Sequence, residues 1–276
     1  MMSRSLPALL FILLSCFLLT SCDTEDSLPA NSVDVHILMG QSNMLGRGNS
    51  YQLPNELQQP LQGCYIYNPD SKKFELIHAG VNTMSAKGMF GPVVKAAQLL
   101  QAHKKRDVYF VVTGAGNTQL YNSGSKQVQD WHPDSHEVLD QSKEIIEKAR
   151  ATLVAEGKAP VFRTIAWWQG EADSLEEFKA AAYGDNEKAF FDALDKVPYL
   201  SSTKRVIFKV FSDMKTHPQA GRVNEGKVKR AATDRRTLRV IETNGYDRIT
   251  QDKLHATAVG QVQAGTDLFN AIKDVQ

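Results

Sequence analysis

Two kinds of segment alternate along this chain, and that alternation leaves few folds open to it. Short apolar runs rich in β-branched and aromatic residues, at residues 33–39, 108–113, 162–168, 205–211 and 238–243, read as strands. Between them lie segments with helical spacing and good helix formers, at residues 92–103, 137–155, 175–194 and 223–234. Strands that are apolar at nearly every position suit a sheet covered on both faces, and strand–helix alternation calls for right-handed crossovers between parallel neighbours. The expected architecture is an α/β fold, a three-layer α/β/α sandwich with a mainly parallel central sheet. Ligands of such sheets bind beyond the carboxyl ends of the strands, so the residues that follow each run are where chemistry is expected.

The first residues read as a targeting segment. Arg4 supplies a short positive region and residues 6–19 are almost wholly apolar, a stretch too short to span a bilayer comfortably. It ends in Leu19-Thr20-Ser21-Cys22, which resembles the bacterial lipobox, where cleavage before the cysteine leaves its thiol to carry lipid. The expectation is a lipoprotein signal peptide over residues 1–21, lipidation at Cys22, a polar tether over residues 22–32 and one globular domain over residues 33–276. An ordinary secretory signal or an uncleaved anchor are the alternatives, and each of them also takes the protein out of the cytoplasm. With Cys16 in the signal and Cys22 acylated, Cys64 is the single thiol left for the domain, and its simplest place is in the core. An exported domain without a disulfide must then rely on a large core, for which the 255 residues left when 21 are removed from 276 are sufficient.

A formal net charge of +1 gives no reason to expect nucleic acid as a partner. One basic stretch, comprising Lys215, Arg222, Lys227, Lys229, Arg230, Arg235, Arg236 and Arg239, reads as a solvated helix face.

Directly after the first strand comes Gly40-Gln41-Ser42-Asn43-Met44. The glycine permits a tight turn, and the N–H groups opening the next helix can stabilise an oxyanion beside the serine oxygen. Taken alone, Ser42 is more simply a helix N-cap. Near the other end of the chain, however, stands Asp252-Lys253-Leu254-His255. A serine becomes a useful nucleophile when a base takes its proton, and the base needs a partner to fix its tautomer and stabilise its cation.

Four blocks together, Gly40 to Met44, Gly91-Pro92, Trp167-Trp168-Gln169-Gly170-Glu171-Ala172-Asp173 and Asp252 to His255, give the chain its resemblance to the SGNH, or GDSL-like, hydrolases. Within them it resembles the carbohydrate acetylesterases related to sialate O-acetylesterase and the acetyl xylan esterases. The resemblance implies a flavodoxin-like sandwich, Ser42 as nucleophile, His255 as base and Asp252 as its orienting carboxylate. It further implies an oxyanion hole from the N–H groups of Ser42 and Gly91 and the side chain of Gln169, and a supporting role for Glu171. Departures from the family pattern lie in the loop Gly114-Ala115-Gly116-Asn117-Thr118, at Lys253 and at Ala256, all expected near the mouth of the pocket.

Other conspicuous residues have plainer readings. Of Trp167 and Trp168, one is expected in the core and one on the opposite face of the sheet. Asp173 is expected to cap the following helix, and His36 to be a hydrogen-bonded core residue. Asp213 and His217 follow a strand end and could line the cleft. His132, Asp134 and His136 have a spacing suggestive of metal, but Pro133 breaks regular placement, so a surface loop over the active site is expected. The function expected from all of this is cofactor-free and metal-free hydrolysis of acetyl esters on an oligo- or polysaccharide by an envelope-anchored serine esterase. The competing reading is a glycan-binding lipoprotein of the same fold without turnover.

Overall fold

The computed structural model describes residues 28–125, 127–213 and 215–275. The expected signal peptide, Cys22 and most of the tether lie outside the described residues. Asn31–Gln276 forms a compact unit of its own. Its regular elements are β1 (Ser32–Gly40), α1 (Ser42–Leu45), β2 (Gly48–Asn49), β3 (Cys64–Asn68), β4 (Lys73–Leu76), β5 (Met89–Phe90) and α2 (Val93–Lys104). They continue with β6 (Val108–Gly114), α3 (Val138–Ala155), β7 (Ala159–Trp168), α4 (Glu177–Asp195), β8 (Lys204–Phe208), α5 (Ala220–Thr233), β9 (Thr237–Ile241) and α6 (Ala258–Ile272).

Seven strands form one sheet in the order β4-β3-β6-β1-β7-β8-β9. Every pairing in it is parallel except the β3–β4 hairpin at one edge. The central strand β1 is buried from Asp34 to Gly40, as a strand with helices over both faces has to be. The result is the α/β/α sandwich that the alternation of segments implies. Both tryptophans at the end of β7 are fully buried, and they face opposite ways. Trp167 stacks on Phe190 of α4 at 4.2 Å and meets Trp131 edge-on at 5.0 Å. Trp168 stacks on Phe208 of β8 at 4.9 Å. The two faces of the sheet therefore share a pair of adjacent residues as core anchors. Among the described residues no helix is long and apolar enough to cross a membrane.

The two-residue strands β2 and β5, together with β3, β4 and α6, were not among the segments read from the sequence. β4 is a half-buried edge strand of mixed polarity, and β3 is five residues long, so neither carries a strong periodic signal. α6 carries two glycines, which lower helix propensity. Gly265 is required there, because a Cβ would overlap the Pro92 carbonyl where α6 crosses the start of α2. β1 begins at Ser32, and the Asn31 side chain bonds the Gly157 carbonyl at 2.7 Å, so the globular domain includes residues slightly before the expected boundary.

The basic stretch after residue 215 is not wholly solvated. Lys227 is completely buried and Arg230 nearly so, because both reach inward from α5 to Glu187 on α4. A buried cation is tolerable only with a partner of this kind.

Candidate active site

β1 delivers the chain to the site through Gly40. A Cβ on this residue would overlap the Trp168 carbonyl oxygen, so the neighbouring strand end leaves room for glycine alone. The Gln41 N–H then bonds that same carbonyl at 3.1 Å, and the Gln41 carbonyl accepts from Met44 and Leu45, which starts α1. Ser42 is the first residue of α1, where the N–H of a helix has no intrahelical acceptor. Gly91 lies against this short helix; a Cβ there would come within 2.5 Å of the Leu45 oxygen and 2.8 Å of the Met44 oxygen. Gly91 therefore brings the chain close to the serine turn, as a block paired with it requires.

The last block arrives from the opposite end of the chain. Asp252 accepts from the Leu254 and His255 N–H groups through Oδ1, at 2.9 and 3.1 Å, and so closes its own turn. Its Oδ2 accepts from His255 Nδ1 at 2.7 Å, and His255 Nε2 lies 2.8 Å from Ser42 Oγ. A Ser–His–Asp chain is thus continuous across 213 residues of sequence. Burial raises the Asp252 pKa, but the bonds from the His255 ring and from the two backbone N–H groups outweigh it and hold the carboxyl below its usual value. An ionised Asp252 fixes the proton on Nδ1, which leaves Nε2 as the acceptor facing the serine.

Asn43, a residue that the sequence offered only as part of the serine block, ties these pieces together. It is fully buried. Its Nδ2 donates to Glu171 Oε1 at 2.7 Å and to the Leu254 carbonyl at 3.0 Å, and its Oδ1 accepts from the Ala256 N–H at 3.1 Å. It thereby holds the histidine turn against α1. Partners 128 to 213 residues away cannot be read from local spacing, so its role has no signal in the sequence. Glu171 bonds Asn43 and makes no hydrogen bond to His255; among the described residues its buried Oε2 has no partner, and burial raises its pKa.

Gln169 departs from its expected place. Its side chain is fully buried, with Nε2 donating to Asp173 Oδ2 at 2.7 Å and to the Thr118 carbonyl at 2.9 Å and lying 3.3 Å from Gln41 Oε1, so three acceptors share its two hydrogens. The carboxamide does not present a free donor to the pocket. Asp173 does not cap α4 either. It is buried beneath the site and accepts from the N–H groups of Leu120 and Tyr121, which anchors the loop after β6. Burial pushes its pKa up to about 6, against the bonds from Gln169 and those two N–H groups.

A cavity of about 300 Å³ opens over Ser42 and His255, walled by Gln41, Arg47, Asn117 and Glu171. The loop after β6 thus forms part of its mouth, where the departures from the family pattern were noted. His217 lines it as well, with a pKa lowered by burial and by the charge of His255, whereas Asp213 is held outward by a two-pronged pair with Arg248. A larger cavity, about 410 Å³, lies between α4 and α5 and contains none of the four blocks' residues, so the smaller one is the site. His36 is buried and bonds Thr164 Oγ1 at 2.8 Å, and Cys64 is buried beside Ala97. Pro133–Ser135 forms a single 3₁₀ turn, with His136 bonded to Asp140 at 2.9 Å. Among the described residues no three His, Cys, Asp or Glu side chains gather to hold a metal.

The chain is similar to proteins described as carbohydrate esterases. The carbohydrate esterase family described as sialic acid-specific acetylesterase matches residues 32–274. A probable carbohydrate esterase of Arabidopsis thaliana is 23% identical over 266 residues, covering 90% of this chain and 93% of that protein. The crystal structure of that Arabidopsis protein superposes with a TM-score of 0.68 at 21% identity, over 88% of this chain and 98% of its own. The crystal structure of NanS gives 0.60 at 14% identity, over 88% and 97%. A carbohydrate acetylesterase from Xanthomonas citri gives 0.57 at 14%, over 88% of this chain and 56% of that one. At these identities the structural likeness establishes the fold.

Proposed function

The chain belongs to the sialic acid-specific acetylesterase family of carbohydrate esterases, and on that premise we propose that it hydrolyses O-acetyl esters of a carbohydrate through Ser42, His255 and Asp252. The observation that carries the mechanism is His255, which bridges Ser42 Oγ at 2.8 Å and Asp252 Oδ2 at 2.7 Å. His255 Nε2 takes the proton from Ser42 Oγ as that oxygen attacks the acetyl carbonyl. The oxyanion meets the N–H groups of Ser42 and Gly91, and the ionised Asp252 stabilises the imidazolium. Collapse of the tetrahedral intermediate breaks the bond to the sugar oxygen, which leaves with the proton from Nε2. Water, activated by the same nitrogen, then releases acetate and restores Ser42.

The substrate in this reading is an acetylated oligo- or polysaccharide, reached outside the cytoplasm by a domain tethered through lipid on Cys22. Replacement of Cys22 by Ala is expected to move the protein from the membrane to the soluble fraction and to abolish incorporation of labelled fatty acid. For the chemistry, the chain lacking residues 1–22 is mixed with 4-nitrophenyl acetate beside Ser42→Ala. A wild-type rate well above that of the variant supports the nucleophile; equal rates near the uncatalysed background reject the mechanism.

A further inference from the structure

Beneath the site, a buried hydrogen-bond chain has a direction imposed by its donors. Tyr183, on α4, is fully buried, and its hydroxyl oxygen receives Lys227 Nζ at 2.9 Å and Trp167 Nε1 at 3.2 Å. The indole has nothing to accept with, and Lys227 Nζ, whose pKa burial lowers and the Glu187 carboxylate 3.4 Å away raises, carries hydrogens to donate. Both lone pairs of Tyr183 are then filled, so its single proton turns to Gln169, where Oε1 lies at 2.9 Å and the backbone oxygen at 3.0 Å. This fixes the Gln169 carboxamide with its oxygen toward Tyr183 and its nitrogen toward Asp173, Thr118 and Gln41.

The orientation propagates one residue further. The Gln169 nitrogen is 3.3 Å from Gln41 Oε1; a Gln41 nitrogen in that place would set two donors against each other. Gln41 must therefore keep its oxygen inward, which leaves Nε2 with no partner among the described residues. Gln41 also lines the cavity that contains Ser42 and His255, and it immediately precedes the serine.

We propose that the Gln41 side-chain nitrogen is the third oxyanion donor, and that Lys227 and Trp167, through Tyr183 and Gln169, are the positioning groups that turn it toward the substrate. The block containing Gln169 thus contributes to the oxyanion hole at one remove. The inference rests on the Ser42 esterase reading, since an oxyanion forms only if Ser42 attacks an ester.

The test uses the purified full chain and 4-nitrophenyl acetate, with Ser42→Ala, Gln41→Glu, Tyr183→Phe and the Gln41→Glu/Tyr183→Phe double variant. Gln41→Glu keeps size while exchanging the donor for an acceptor, and loss of one oxyanion donor lowers kcat by about 10²–10³-fold. KM is expected to stay within about twofold, since the contact forms in the transition state. Tyr183→Phe, close in shape, releases the Gln169 oxygen and is expected to lower kcat by about tenfold, the equivalent of one hydrogen bond's orientation. The double variant is expected to be no slower than Gln41→Glu alone, because Tyr183 acts through Gln41; a purely structural role for Tyr183 would make the two losses multiply. A Gln41→Glu enzyme with wild-type kcat, or one altered only in KM, overturns the proposal while leaving Ser42 as nucleophile. Wild-type activity no greater than that of Ser42→Ala removes the esterase reading and this inference with it.

Discussion

Asp252→Asn separates the two carboxylates near His255. The Oδ1 atom of Asp252 accepts two backbone N–H groups, at 2.9 and 3.1 Å, and an asparagine keeps that turn only by leaving its oxygen there. Its Nδ2 then faces His255 Nδ1, 2.7 Å away in the wild type, and the ring must accept at Nδ1 and carry its proton on Nε2. That tautomer cannot receive the Ser42 proton. In a buried triad the same inversion costs about 10⁴ in kcat. Here the Asp252 side chain is 40% exposed, so water competes for the ring and part of the population recovers the working tautomer. The expected loss is about 10²–10³-fold in kcat, roughly 3–4 kcal/mol of transition-state stabilisation, with KM within about twofold. Glu171→Gln retains an oxygen for Asn43 and touches nothing on His255, so its expected loss is under about tenfold. Initial rates over a range of 4-nitrophenyl acetate concentrations measure both. A larger loss for Glu171→Gln than for Asp252→Asn, or wild-type kcat in Asp252→Asn, would refute the assignment of the partner carboxylate.

Asn43→Ala releases Glu171, Leu254 and Ala256 together; displacement of the histidine turn by about 1 Å is expected to lower kcat by about 10²-fold, read in the same assay with the fold checked by circular dichroism. Gly40→Ala places a methyl group on the Trp168 carbonyl, and the expected destabilisation is about 3 kcal/mol or more, measured by urea unfolding. His36 is buried with its pKa lowered from 6.5 to about 4, chiefly by loss of solvation, with Asp34 acting the other way. Because the unfolded chain takes up that proton first, stability is complete above about pH 6.5 and falls toward pH 4, by about 3 kcal/mol in all. Urea midpoints across this range follow the loss, and His36→Phe is expected to flatten it. Asp34, whose carboxyl is held below its usual range by Arg163 and Arg106 against the effect of burial, adds an acid-side loss only below about pH 4.

What the sequence made legible is what depends on local spacing. The parallel sheet followed from apolar runs, because a strand covered on both faces is apolar at every position, and the Asp252–His255 pair, close enough to share a turn, was implied by the resemblance that the four blocks carry. The order of the strands and the antiparallel edge at β4 depend on contacts between segments that leave no periodic trace. Gln169 shows the same limit at one side chain. Its block marks the family, but the direction of the carboxamide is decided by Tyr183 and Asp173, one on the next helix and one four residues on, and both face it from below. A lysine in a basic stretch ordinarily lies on a solvated face; the partner that draws Lys227 inward, Glu187, lies forty residues earlier on α4.

The hydrogen bonds along Ser42, His255 and Asp252 are therefore not what holds the site together. A single hydrogen bond between His255 and Ser42 contributes about 1 kcal/mol in water and cannot fix two segments 213 residues apart. The buried amides do that. Asn43 spends its whole side chain on Glu171 and on the backbone at either side of His255, and Gln261 of α6 reaches back to the Asn43 carbonyl at 3.2 Å. Each of these groups is sealed from solvent, so breaking one leaves a buried donor or acceptor unpaired, at about 1–3 kcal/mol each. The distance between Ser42 Oγ and His255 Nε2 is then set by buried side chains outside the Ser42–His255–Asp252 chain.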